Sequence, residues 1–69
     1  MTSWQAERFA LEHQADTIAV TTTSGTFDGR PLGVRFDSAQ RRLCLRLTRS
    51  SWPTRSIPVE SIRSLSVVA

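Results

Sequence analysis

Three short stretches alternate apolar and polar residues with a period of two: Ile18 to Thr22, Leu32 to Phe36 and Leu43 to Leu47. Such alternation marks strands that bury one face. Two further apolar stretches, around Ile57 and Val59 and from Ile62 to Val68, complete a set of five. Five short strands in 69 residues have one economical packing, a small closed or nearly closed barrel. Ahead of them, Thr2, Ser3, Trp4 and Gln5 have the form of a capping box, and no Gly or Pro interrupts the stretch that follows. The pattern therefore predicts a mainly β chain, with an N-terminal helix of three turns within residues 3–14 and a strongly bent five-stranded barrel over residues 16–68, in one domain spanning 1–69.

The helix has two apolar faces. At 100° per residue Ala6, Phe9, Ala10 and His13 fall together, while Trp4 and Leu11 fall on the opposite side. The first group is expected to dock on the barrel, leaving the second over.

The first strand, from about Asp16 to Thr23, turns Ile18 and Val20 inward and ends at Ser24 and Gly25. In the second, Phe27 is out of phase with Leu32, Val34 and Phe36. Gly29 and Pro31 lie where the phase slips, so a bulge is expected there, with Leu32, Val34 and Phe36 inward. A four-residue loop over Asp37 to Gln40 would place Val34 opposite Leu43 and Leu32 opposite Leu45 inside. The same register puts Arg35 opposite Arg42 outside, with Arg46 further along and Cys44 between the last two. Leu43, Leu45 and Leu47 then face inward, Ser50 to Pro53 turn, and a single tight turn from Pro58 to Ile62 precedes the last strand.

Charge is unevenly spread. All nine basic residues are arginine. Up to Asp28, four acids against Arg8 leave −3; from Gly29 onward, eight arginines against Asp37 and Glu60 leave +6. A polarised map of this kind fits two partners or head-to-tail self-association. Opposed arginines at 35 and 42, with Arg46 beside them, form a candidate nucleic-acid surface, because guanidinium forks match phosphate oxygens. Solvated arginines splayed apart by sheet twist are the bland alternative, and that face has no interleaved aromatics for base stacking. Trp52, like Trp4, is either an interface anchor or a plug beneath the barrel.

Catalysis finds no foothold in these residues. A single cysteine and a single histidine make neither a disulfide nor a zinc set, and phosphate loops and paired-carboxylate spacings are missing. His13 near Asp16 reads as a helix-end residue. Cys44 reads as a small outward residue, and no cofactor is expected. The N-terminal residues lack the basic start and apolar run of a signal peptide, and no apolar run approaches the roughly 18 residues of a membrane span, so the expected location is the cytoplasm. A domain this size buries only about 60% of its extended-chain surface, which makes homo-oligomerisation a natural source of stability.

From Trp4 to Leu65 the chain resembles the Rof family of small Sm-like proteins, which bind and inhibit the transcription terminator Rho. The resemblance lies in the aromatic-led helix Trp4 to Gln14, the strand Thr17 to Thr23, the turn at Gly25, the segment Leu43 to Leu45, and above all Arg55 to Leu65. It implies an Sm-like or SH3-like barrel and a non-enzymatic regulator that occludes Rho through acidic residues near the helix. Glu7, Glu12 and Asp16 match that logic, whereas the arginine-rich barrel departs from the family's acidic composition. The expected protein-binding surface is Trp4, Glu7, Arg8, Leu11, Glu12 and Asp16. Arg35, Arg42 and Arg46 serve the alternative, an RNA- or DNA-binding barrel, and a structural self-assembly module is the third reading.

Overall fold

The computed structural model describes residues 1–49 and 52–68 and, of Trp52, the backbone alone. The chain folds as a helix α1 (Ser3–Glu12) followed by β1 (Ile18–Thr22), β2 (Gly25–Asp37), β3 (Arg42–Arg49), β4 (Trp52–Pro58), one 3-10 turn (Val59–Ser61) and β5 (Ile62–Val67). The strands form one antiparallel sheet in the order β4-β3-β2-β1-β5. It is not closed: among the described residues no ladder joins β4 to β5. The turn expected over Ser50 to Pro53 lies partly outside the described residues, as does the Trp52 side chain.

Length is what lets β2 serve two partners. Its first residues, Gly25 to Gly29, pair with β1, and Arg30 to Asp37 pair with β3. The handover falls at Gly29, where an added Cβ would stand 2.8 Å from the Thr48 carbonyl oxygen, closer than real Cβ atoms approach. Only glycine lets β3 come in against β2 at that point. The bulge itself comes later than expected, between Pro31 and Gly33, with Leu32 as the additional residue and Gly33 at φ +117°. This backbone angle suits glycine, so the sequence offers two glycines and the bend and the bulge use one each.

The β2–β3 register differs from expectation by two residues. Val34 pairs with Leu45, Arg35 with Cys44, Phe36 with Leu43 and Asp37 with Arg42. The physical cause is the loop. Asp37 ends the strand instead of entering the turn: its Oδ1 accepts the backbone N–H groups of Ala39 (2.9 Å) and Gln40 (3.2 Å). Its carbonyl accepts the N–H of Arg41, which adopts a left-handed φ of 56°. Aspartate is well suited to this role because its short carboxylate reaches backbone donors two and three residues on. The loop is therefore residues 38–41, and every pairing before it slides.

Three inward assignments fail as a result. Leu32 is displaced by the bulge in the middle of β2, Phe36 and Leu43 are carried to the end of the ladder, and all three are exposed. Cys44, expected outside, is fully buried opposite Arg35 on one side and Pro58 on the other. The core is built from Ala10, Ile18, Val20, Leu45, Leu47, Ile57 and Ile62, with Phe9, Phe27, Val34 and Leu65 packed around it.

Candidate functional site

Helix α1 is positioned from both ends. Thr2 Oγ1 accepts the N–H of Gln5 and Gln5 Oε1 accepts the N–H of Thr2, each at 3.1 Å, which completes a capping box. Such reciprocal bonds satisfy two of the backbone donors that a helix start leaves open. At the other end the N–H of His13 donates to the Phe9 carbonyl, and the two rings lie 4.4 Å apart. Between them Ala6 and Ala10 are buried, and the absence of longer side chains lets the helix lie close against β2 and β3.

The opposite side of α1 is left open to water. Trp4 is 65% exposed and Leu11 62%, one on each side of a shallow depression of about 250 Å³ that Glu7 and Arg8 also line. The Arg8 guanidinium carbon lies 5.4 Å from the Trp4 ring centroid, and its Nε donates to Glu12 Oε1 at 3.0 Å. One arginine thus links the tryptophan to the acid. Glu7 has no ion-pair partner among the described residues. A large aromatic, an aliphatic residue and an uncompensated acid on one open helix face have the makeup of a protein contact surface.

Of the six residues expected to bind a protein, the structure gathers five. Trp4, Glu7, Arg8 and Leu11 share the depression, and Glu12 joins through Arg8. Asp16 stands apart, beyond the helix end, with its Oδ2 at 2.9 Å from His13 Nδ1.

The expected arginine triad divides. Arg42 is not opposite Arg35; it pairs with Asp37, and its Nη1 donates to Glu60 Oε1. Glu60 was not singled out in the sequence because 18 residues separate it from Arg42, and no short-range pattern marks such a pair. Arg46 lies opposite Gly33 and Ser56, and Arg35 and Arg46 line one depression of about 380 Å³ with Asp37 and Ser56. Two of the three arginines therefore border a common depression, and the third is paired with Glu60.

Cys44 has no nucleophilic setting. Its Sγ donates to the Arg42 carbonyl at 3.7 Å, and burial, reinforced by the Asp37 charge, pushes its thiol up from the ordinary value. Among the described residues no cluster of three or more His, Cys, Asp or Glu is placed to hold a metal ion, and no helix is long and apolar enough to cross a membrane. Comparison with protein-family models, with curated proteins and with solved structures finds no match.

Proposed function

We propose that this chain is a non-enzymatic regulator of bacterial gene expression that works by covering a basic surface on a protein partner, in the manner of Rof-type inhibitors of Rho. The observation that carries the reading is the open face of α1, where Trp4 and Leu11 lie in water although Ala6 and Ala10 on the other side are buried. Burial of such residues at the centre of an interface supplies most of its affinity, and Glu7 at their edge steers toward a basic partner. The strand order, the long β2 shared between two neighbours and the 3-10 turn before β5 are compatible with the finer fold reading, an Sm-like or SH3-like barrel.

Binding of the purified chain to purified Rho, followed by calorimetry, tests this directly. The double change Trp4→Ala and Leu11→Ala is expected to abolish binding and leave the thermal midpoint nearly unchanged, because both side chains are already exposed. Failure of the wild-type chain to bind Rho removes Rho as the partner. Equal binding by wild type and double variant removes the helix as the contact.

A second reading, binding of RNA or DNA, is favoured by the depression that Arg35 and Arg46 share. Arg35→Glu with Arg46→Glu would then lower affinity for a labelled single strand and flatten its salt dependence by about one unit per lost phosphate contact. No retardation of nucleic acid by wild type at low salt eliminates it.

A further inference from the structure

Between α1 and the bulged middle of β2 runs an open groove of about 620 Å³. Its helix wall carries Glu7 and Leu11, and its strand wall carries Arg30, Leu32 and Arg35. Leu11 is 62% and Leu32 49% exposed, so the two walls each hold a leucine in water. Leu32 is there because the bulge at Pro31 to Gly33 takes it out of the alternation.

The charges separate by wall. The acid stands on the helix and the arginines on the strand, and among the described residues none of Glu7, Arg30 and Arg35 forms an ion pair. A surface divided in this way is complementary to itself. If two copies meet face to face about a two-fold axis laid along the groove, the helix wall of each meets the strand wall of the other. Leu11 of one copy then meets Leu32 of the second, and Glu7, one turn from Leu11, comes against one of the two arginines that flank Leu32 on the strand, Arg30 or Arg35. Symmetry makes each contact twice.

We propose that this groove is the interface of a symmetric homodimer. Only a partner with a basic wall and an acidic wall flanking apolar residues satisfies both sides at once, and a second copy of the chain is such a partner. A standard interface removes about 800 Å² from each subunit. That is a substantial part of the 4517 Å² this chain exposes, and it adds apolar burial where a small fold has little. The dimer also covers Leu11 and Glu7, which border the depression beside Trp4. Self-association and the helix-mediated binding proposed above therefore exclude one another, and the monomer is the binding form. The dimer itself does not rest on that reading.

Sedimentation equilibrium of the full chain from micromolar to millimolar concentration, with circular dichroism to confirm folding, provides the test. Wild type is expected to show a monomer–dimer equilibrium. Glu7→Arg alone, or Arg30→Glu with Arg35→Glu, should weaken it at least about tenfold through like charges brought together. Combining all three changes in one chain should restore dimerisation, and mixing the two weakened variants should give heterodimers. Leu11→Ser should abolish the dimer, whereas Trp4→Ala, outside the groove, should leave it intact even where Rho binding is lost. A wild type that stays monomeric at millimolar concentration overturns the proposal. So does a dimer indifferent to Leu11→Ser or to the single reversals, or a folded combined variant that fails to recover.

Discussion

Phe36 stands directly across the β2–β3 ladder from Leu43, and both side chains are largely in water, 64% and 45% exposed. Two residues further along, the same face holds Val34 opposite Leu45, and Leu45 is fully buried. The boundary between core and surface thus crosses a single uninterrupted pattern of alternating apolar residues. What places it is the Asp37 turn, which ends the ladder at Asp37 and Arg42 and leaves the last apolar pair at the sheet's end.

Leu45→Ala is therefore expected to cost about 2–5 kcal/mol, the range for emptying a packed aliphatic site. Leu43→Ala should cost less than about 1 kcal/mol, as at other exposed positions. Urea denaturation of the two variants measures both. Equal losses would mean that Leu43 is as buried as Leu45 and that the ladder has the register expected from a loop over Asp37 to Gln40.

The helix and the strands were legible because each rests on local chemistry. Thr2 and Gln5 announce the helix start, and Ala6 and Ala10 recur on one face of a 3.6-residue period. Ile18 and Val20 alternate as a half-buried strand requires. The exposed pair Trp4 and Leu11 was readable from the same helical period. The β2–β3 register was not, because Asp37 is equally at home as the first loop residue or as the strand residue that closes the turn. Pattern alone does not separate those choices, and a slip of this size carries Arg35 from Arg42 to Cys44 and so dissolves the expected arginine pair. The groove beside Leu32 was illegible for a related reason. Two glycines, Gly29 and Gly33, flank Pro31, and which of them bears the bulge depends on the approach of β3 in three dimensions.

Cys44 offers a chemical probe of the same strand. Its thiol is buried and pushed up from the ordinary value of 9.0, chiefly by desolvation. Iodoacetamide should therefore alkylate the native chain far more slowly than the urea-unfolded chain, since only the thiolate reacts. The linkage has a definite sign. A thiol whose folded value is raised contributes stability that is complete below its unfolded value and is lost as pH climbs from that value through the folded one. The urea midpoint of wild type should accordingly fall above about pH 9, and the fall should be smaller in Cys44→Ala. Rapid native alkylation at neutral pH would place Cys44 on the surface after all.

Asp37 has the opposite sign. Its carboxyl lies below the ordinary 3.8, first because the Gln40 N–H donates to it; desolvation, the next largest effect, opposes this, and further bonds from the Ala39 N–H and from the Ser56 and Gln40 side chains add to the lowering. A carboxyl lowered on folding contributes stability above its unfolded value, and that contribution disappears as pH falls through the folded one. Asp37→Asn keeps an oxygen for the two backbone donors but removes the charge, and its NH₂ group meets the Gln40 Nε2 donor where a carboxylate oxygen had accepted it. The variant should be less stable than wild type at neutral pH. The difference should narrow once the pH drops below 3.8 and close when the wild-type carboxyl is protonated in both states. Urea midpoints of the two chains measured from neutral pH into acid follow this convergence. A gap that stays constant across that range would show that the turn is held by shape alone, and that the charge of Asp37 has no part in setting the β2–β3 register.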